Sequence, residues 1–201
     1  MRHAEFKTFM RLYLIAVIAV MTVLFILNPI LSTDCDPLMI ILTGGGKLVD
    51  YLGAAYDTVY EDFQIYRLIT YGYFQPAVWH LLANAFALWY VGLYMEKVIG
   101  SLRFIIIYHI GLIVSCVVFL LLFQNGLMYG ASPAIFCFFG MMASWLIKDR
   151  ALLDEYINIK GSRYLLCVAV ISNFLSVGTF VVHVLGFCVG ILIGFVVKRK
   201  G

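Results

Sequence analysis

Uncharged apolar stretches as long as a membrane is thick govern how this chain can fold. Residues 104–123 contain no Lys, Arg, Asp or Glu, and an α-helix needs about 20 apolar residues to cross the hydrocarbon core of a bilayer. Of the whole chain, 64% is hydrophobic and 12% is charged, whereas a soluble domain is about half apolar and a quarter charged. The sequence therefore predicts an all-α integral membrane protein and excludes the water-soluble classes.

Six membrane-spanning helices are predicted. They cover about residues 12–31, 79–97, 104–123, 131–147, 164–177 and 180–197, and the Asn28-Pro29 pair breaks the apolar run of the first of them. Residues 32–78 form a long external loop, whose apolar and aromatic side chains are expected to place it partly in the membrane interface. Because spans of about 20 residues use almost the whole length, the sequence predicts a single polytopic membrane domain over residues 1–201.

The positions of the basic residues orient these helices. Of the 14 Lys and Arg residues, all except Lys47 and Arg67 fall in the two termini, the turn between the second and third helices, and the loop between the fourth and fifth. Cytoplasmic segments are enriched in Lys and Arg, so both termini are expected in the cytoplasm. The fourth and sixth helices then begin on the external side, and the chain is expected to be a multi-pass protein of the cell membrane.

A serine stands where the fourth helix should begin. In the stretch Gly130-Ala131-Ser132-Pro133, the proline suits the first helical position, so Ser132 is predicted to be the N-cap of the helix. A hydroxyl beside unused backbone N–H donors is a starting point for serine catalysis. An ordinary serine cap has the same local sequence, so the rest of the chain must distinguish the two.

Other polar side chains are predicted at the same depth in the membrane. His80 and Asn84 are four residues apart and therefore share one face of the second helix, near its external end. His183 lies near the external end of the sixth helix, and Ser132 begins the fourth. Polar groups inside membrane spans are expensive and mark functional sites, so their convergence predicts a site at the external side.

Two stripes of small residues predict how the fourth and sixth helices pack. Glycine stripes let membrane helices approach closely, and packing alone is the other explanation for such a stripe. If the stripes meet, His183 lies beside Ser132. The stripes consist of His183, Gly186, Gly190 and Gly194 on the sixth helix and of Ser132, Phe136, Gly140 and Ala143 on the fourth.

Over about residues 60–197 the sequence resembles the rhomboid intramembrane serine proteases in their basic six-helix form. The resemblance rests on His80-x-x-x-Asn84 continuing through Gly92 and Glu96 to Gly100, on Gly130-Ala131-Ser132 with Ala134 and Gly140, and on His183-x-x-Gly186-x-x-x-Gly190-x-x-x-Gly194. Tyr66-Arg67 is a weaker likeness to an aromatic-Arg pair in the family's first loop. The resemblance implies a six-transmembrane-helix rhomboid-like bundle with a long, partly interfacial first external loop.

The resemblance also implies roles for the polar residues. Ser132 would be the nucleophile and His183 the general base, forming a dyad without a carboxylate. His80, Asn84 and the backbone N–H of Ser132 would form the oxyanion hole, and Phe136 would stack on the histidine. The helix-packing positions would be Gly140, Gly186, Gly190 and Gly194. The expected substrates are single-span membrane proteins cut near their external end within the lipid bilayer, with no cofactor, metal or nucleic acid involved.

The sequence departs from the family pattern at Pro133, where a glycine usually follows the nucleophile. A proline has no N–H and a restricted φ, which leaves open a catalytically inactive rhomboid-like protein that binds membrane clients. A small transporter or proton pathway is a third reading. It predicts polar groups along a route to the cytoplasmic side, whereas apart from His109 the polar residues of the spans cluster at one side.

Overall fold

The computed structural model describes residues 2–174 and 176–200, and it is mostly helical at 77%. The α-helices are α1 (Arg2–Leu31), α2 (Pro37–Thr43), α3 (Lys47–Leu52), α4 (Arg67–Thr70), α5 (Val78–Ile99), α6 (Ser101–Leu122), α7 (Ser132–Lys148), α8 (Leu152–Ile157), α9 (Ser162–Ser172) and α10 (Val177–Val196). A π-helical turn covers Asp57–Glu61 and a 3₁₀ turn covers Tyr71–Tyr73. Strands β1 (Ala54–Ala55) and β2 (Leu127–Met128) pair antiparallel.

Within the described residues, four helices are long and apolar enough to cross a membrane: Thr8–Leu31 of α1, α5, α6 and α10. The prediction of a mostly helical, multi-pass membrane bundle is confirmed at this level. Helices α7 and α9 are apolar but shorter, at 17 and 11 residues. The helix predicted over 164–177 ends at Ser172, and position 175 lies outside the described residues.

The break in the apolar run at Asn28-Pro29 does not end the first helix, because α1 continues to Leu31 with Pro29 inside it. A proline removes one helical N–H, but the next backbone bond is restored where the amide of Ser32 donates to the Asn28 carbonyl at 3.1 Å. The Ser32 hydroxyl donates to the same carbonyl at 2.7 Å. The end of the helix is therefore held by Ser32 rather than ended by the proline.

Asn28 and Ser32 also fasten the following loop to α1. Asn28 Nδ2 donates to the Gly45 carbonyl at 2.7 Å, and Asn28 Oδ1 accepts a hydrogen bond from the backbone N–H of Leu48 at 3.0 Å. Ser32 Oγ accepts a hydrogen bond from the backbone N–H of Lys47 at 2.7 Å. Both side chains are buried. Since these bonds hold the backbone of residues 45–48 against α1, the segment predicted as a loop at 32–78 is an ordered structure in this region, with short helices on either side of the glycines.

The same segment is tied to the chain that precedes α7. Ala54 of β1 pairs with Met128 of β2, and the buried Arg67 guanidinium donates to the Gly53 carbonyl at 2.6 Å and to Gln64 Oε1 at 2.6 Å. Arg67 belongs to the predicted aromatic-Arg pair, and its contacts explain how a charged residue is accommodated there: its hydrogen bonds compensate its burial.

The core lies where α1, α5, α6 and α7 meet. Phe104 of α6 and Phe138 of α7 stack with ring centroids 4.6 Å apart and planes within 10° of each other. Leu14 of α1 and Met95 of α5 are fully buried beside them in the same cluster. This core holds α5 and α7 in place, and these helices carry the predicted oxyanion-hole residues and the nucleophile.

Helices α7 and α10 pack backbone to backbone. A Cβ added to any of four glycines would collide with the facing helix: Gly186 with Pro133 O, Gly190 with Cys137 O, Gly194 with Ser144 Oγ and Gly140 with Phe187 O. The glycine stripe of α10 therefore faces α7 as expected. On α7, the contact is centred one position along from the predicted stripe. Ser132 and Phe136 therefore lie at the edge of the contact, toward His183. The residues of α7 that the glycines face are Pro133, Cys137, Gly140 and Met141.

The other end of the bundle is tied by an ion pair. Arg199 Nη2, just beyond α10, lies 2.8 Å from Glu155 Oε2 of α8, and the Tyr94 hydroxyl of α5 donates to Glu155 at 3.0 Å. Burial opposes ionisation of Glu155, but the hydrogen bonds from Arg199 and Tyr94 outweigh it and hold the pKa of Glu155 below its ordinary value. The pair joins α5, α8 and the segment after α10.

Candidate active site

The loop before α7 is shaped by Gly130. Its φ of +103° is a conformation that side chains rarely adopt, and its amide donates to the Tyr71 carbonyl at 2.8 Å. A Cβ at this position would lie 2.6 Å from Nε2 of His80. A glycine is therefore required so that the loop can lie against the His80 ring.

Ser132 is the first residue of α7, so the prediction that it is the N-cap is wrong by one position. Ala131 is the cap, with φ −77° and ψ −8°, and its carbonyl accepts the amides of Ala134 at 3.1 Å and Ile135 at 3.3 Å. The half-buried Ser132 side chain makes no cap bond, and its hydroxyl has no hydrogen-bond partner in the part of the chain that the structure describes. Pro133 lies in the first turn, where its missing N–H would have no helical partner.

The side chain of His183, a residue of α10, is held in place by two contacts from other elements. Its ring stacks on Phe136 of α7, with centroids 3.9 Å apart and planes within 8°. Nδ1 lies 3.1 Å from Oδ1 of Asn173, the residue that follows α9. The side chain is 3% exposed, so both contacts act away from bulk water.

His80 and Asn84 project from α5 on the other side of the cavity. The ring of His80 stacks on Trp79 with centroids 5.3 Å apart and meets Tyr129 edge-on at 5.9 Å. Its nitrogens make no hydrogen bond to any described residue. The buried Asn84 donates one N–H of Nδ2 to Gln75 Oε1 at 2.7 Å, which leaves its second N–H free for another acceptor.

The four predicted residues line one cavity. Ser132, His183, His80 and Asn84, from three helices, border a space of about 320 Å³, and Phe136 lies on the same wall. The Ser132 hydroxyl and His183 do not form a direct hydrogen bond among the described residues. A nucleophile and base in an unliganded site are often farther apart than in the reacting complex.

A second cavity of about 670 Å³ adjoins the first. Phe136, Phe139 and His183 line both cavities, and the other walls of the larger one are mainly apolar side chains of α7, α8, α9 and α10. The site therefore lies beside a large apolar space, as suits a protein surrounded by hydrocarbon.

Sequence reasoning missed two side chains that contact the predicted residues. Gln75 is fully buried, donates to the Gly72 carbonyl at 3.2 Å and so directs its oxygen at Asn84. Asn173 contacts His183 across ten residues of chain. Both lie in segments without helical periodicity or at a helix end, so no spacing rule links them to their partners.

His109, Glu96 and Tyr71 have structural partners outside the site. His109 binds the Ile105 carbonyl through Nδ1 at 2.8 Å and the Tyr73 hydroxyl through Nε2 at 3.0 Å, and Glu96 accepts the Ser101 hydroxyl at 3.3 Å. Complete burial raises the pKa of Tyr71 well above its ordinary value, so its hydroxyl stays protonated and donates to a helix carbonyl. Residues 2–174 and 176–200 contain no group of three or more His, Cys, Asp or Glu placed to hold a metal ion.

Comparison with known proteins gives a consistent picture. The family model described as the Rhomboid domain matches residues 62–200. The chain is 27% identical over 172 residues to Rhomboid-like protease 3 of Toxoplasma gondii, covering 84% of this chain and 63% of that protein. It is 29% identical over 165 residues to RHOMBOID-like protein 7 of Arabidopsis thaliana, covering 77% and 50%.

A third relative carries a different description. Inactive RHOMBOID-like protein 8 of Arabidopsis thaliana is 28% identical over 137 residues, covering 64% of this chain and 39% of that protein. The chain thus spans less than two thirds of the length of each of these relatives.

Proposed function

The chain belongs to the rhomboid family, and we propose that it is an intramembrane serine endopeptidase with Ser132 as nucleophile and His183 as general base. The observation that carries the proposal is the convergence of Ser132, His183, His80 and Asn84 on one cavity of about 320 Å³. These are the residue types that acyl transfer needs, and their side chains come from three separate helices.

The unpaired Ser132 hydroxyl suits a nucleophile. It attacks the carbonyl carbon of the scissile peptide while its proton passes to His183. The imidazolium returns that proton to the departing amine as the C–N bond breaks, which leaves an acyl-enzyme. Water then attacks the acyl group with the same histidine as base, releasing the second product and the serine.

The oxyanion hole of the proposal uses three donors. Gln75 orients the Asn84 amide so that its second N–H is available, His80 has ring nitrogens without a partner among the described residues, and the N–H of Ser132 is one of the helix-start donors that lack a helical acceptor. Donors held in place before the reaction stabilise the developing charge, and removing one costs about 3 kcal/mol.

The proposed setting is a bundle of six spans in the cell membrane, with α7 and α9 as the two short spans and both termini in the cytoplasm. The whole described chain then acts as one polytopic domain, and the cavity lies near the external side. The proposed substrates are single-span membrane proteins whose helices unwind locally near that side. The dyad chemistry requires neither a metal nor an organic cofactor.

The alternative is a catalytically inactive rhomboid-like protein that binds membrane clients. Pro133 and the relative described as inactive favour it. The position of Pro133 favours activity instead, because it is buried in the first turn of α7 with its carbonyl against Gly186. There it removes none of the three proposed donors.

Reconstitution tests the proposal directly. The purified chain is placed in liposomes with a single-span reporter, beside Ser132→Ala and His183→Ala. We expect cleavage by the wild type and a loss of several orders of magnitude in both variants, since residues of such a unit act together. His109→Ala is the matched control, because it removes a histidine of α6 that is hydrogen-bonded to Ile105 and Tyr73. This variant should retain the cleavage rate of the wild type.

A serine-directed phosphonate probe separates the two readings if the reporter is not cut. Labelling of the wild type and not of Ser132→Ala would support a competent nucleophile with an unsuitable reporter. A wild type that neither cleaves nor labels would overturn the protease proposal and favour the inactive client-binding protein.

A further inference from the structure

The base of the proposed dyad has a polar partner that is not part of the dyad. Nδ1 of His183 lies 3.1 Å from Oδ1 of Asn173, and the histidine is 3% exposed. The two residues belong to different elements, since Asn173 caps the end of α9 and His183 lies in α10. The bond therefore connects a helix end to the reacting group.

The second bond of Asn173 fixes which of its atoms faces the histidine. Nδ2 donates to the Ala169 carbonyl at 2.6 Å. A carbonyl only accepts, so the atom beside it must be the amide nitrogen, and the oxygen is the atom that faces His183. Because that oxygen only accepts, Nδ1 of His183 must carry the proton. The lone pair of the neutral ring is then on Nε2.

The stack with Phe136 does not determine this arrangement by itself. Turning the imidazole by 180° about its Cβ–Cγ bond keeps the ring on the Phe136 face but exchanges the positions of nitrogen and carbon atoms. The hydrogen bond to Asn173 distinguishes the two orientations, because only one of them puts Nδ1 against the amide oxygen. Phe136 fixes the plane of the ring, and Asn173 fixes its rotation and its tautomer.

We propose that Asn173 is a positioning residue that keeps His183 in the Nδ1–H tautomer with Nε2 ready to accept the proton of Ser132. The proposal rests on the proposed function, and it adds a third member to the dyad. An amide suits this place, because its oxygen accepts the Nδ1 proton of His183 while its nitrogen donates to the Ala169 carbonyl. A base in the wrong tautomer loses most of its activity.

The kinetic test compares Asn173→Ala with a matched control in the full chain in liposomes. Asn158 ends α8 as Asn173 ends α9, and its Nδ2 donates to the carbonyl four residues earlier, on Asp154, at 2.8 Å. Asn158→Ala removes the same kind of helix cap without a histidine partner. We expect Asn173→Ala to lower kcat about tenfold with little change in KM, as for one hydrogen bond, and Asn158→Ala to leave both unchanged.

Asn173→Asp separates the hydrogen bond to the histidine from the helix cap. A carboxylate oxygen still accepts the Nδ1 proton, but it cannot donate to the Ala169 carbonyl. We therefore expect Asn173→Asp to regain most of the kcat that Asn173→Ala loses. Equal losses in both variants would mean that the cap is what matters, and would overturn the proposal.

A spectroscopic test does not depend on cleavage. ¹⁵N chemical shifts of histidine distinguish the Nδ1–H from the Nε2–H tautomer, and the His183 resonances are those missing from His183→Ala. We expect Nδ1–H in the resting wild type and in Asn173→Asp, and a shift toward Nε2–H in Asn173→Ala. An unchanged tautomer in Asn173→Ala, or an unchanged kcat in an active preparation, overturns the proposal. If the wild type neither cleaves the reporter nor labels at Ser132, the proposed function fails, and the tautomer still decides whether Asn173 orients the ring.

Discussion

Gly190→Ala tests the close packing of α7 against α10. The added Cβ would lie 2.6 Å from the carbonyl carbon and 2.9 Å from the Cα of Cys137. Both are backbone atoms, so no rotamer change relieves the collision. Ordinary contact begins at 3.4 Å, and the Cys137 carbonyl oxygen is nearer still to the added Cβ, so the helices must separate by more than about 0.8 Å at this point.

The expected effect on stability follows from overpacking and can be isolated by a second glycine. Gly178→Ala lies on the same helix, where an added Cβ meets only Ser176 Oγ at 3.9 Å. Both substitutions gain helix propensity, so the difference between them measures the collision. We expect Gly190→Ala to be less stable than Gly178→Ala by about 1–3 kcal/mol, a fall of about 2–4 °C in the unfolding midpoint for each kcal/mol.

Thermal unfolding in one detergent, followed by circular dichroism, gives the two midpoints. The separation of the helices also moves His183, which lies seven residues from Gly190, and a misplacement of about 1 Å at a reacting group costs on the order of 10²-fold in rate. A midpoint for Gly190→Ala equal to or above that of Gly178→Ala would refute the packing described here.

Three further substitutions test other parts of the structure. Gly130→Ala forces a side chain onto the His80 ring at a φ of +103°, and we expect on the order of 10²-fold less cleavage with a stability loss of about 1–3 kcal/mol. Asn28→Ala removes a buried side chain and its two hydrogen bonds to the Gly45 carbonyl and the Leu48 amide, and we expect a destabilisation of about 1–3 kcal/mol by chemical denaturation. Glu155→Gln weakens the pair with Arg199. Since the pKa of Glu155 is lowered in the folded state, the stabilisation is present above its ordinary pKa and is lost as the pH falls below it. The midpoint difference between wild type and Glu155→Gln should be modest at pH 7 and should disappear as acid protonates Glu155 in the folded state.

Each of these expectations has a contrary result. Wild-type cleavage by Gly130→Ala would mean that the loop and His80 are not in contact in the working protein. Asn28→Ala with an unchanged denaturation midpoint would mean that water replaces the lost bonds. A midpoint difference for Glu155→Gln that grows toward low pH would contradict the sign of the pKa shift.

The parts of the fold that follow from periodicity could be predicted from the sequence. The spacing of Gly186, Gly190 and Gly194 identifies one face of a helix that allows a close approach, and in the structure this face lies against α7. The four-residue spacing of His80 and Asn84 likewise places both on one side of α5. In each case the geometry of a single helix carries the information, since residues separated by three or four positions share a face.

What could not be predicted depends on contacts between segments distant in sequence. Nothing in a local pattern indicates that Asn28 binds the backbone after the three glycines, that Gln75 orients Asn84, or that Asn173 meets His183. The start of α7 was misplaced for a related reason. Ala131 takes the capping position through its backbone conformation, whereas the sequence rule weighs only the capping side chain that Ser132 offers.

The backbone contact between α7 and α10 also excludes one route by which another polypeptide could reach the cavity. Where one methyl group does not fit between two helices, a helix about 10 Å across does not pass. Helix α9, in contrast, meets its neighbours through side chains such as Tyr164 on Phe86 and borders the cavity of about 670 Å³. The side of the bundle where α7 meets α10 is therefore closed to an incoming helix.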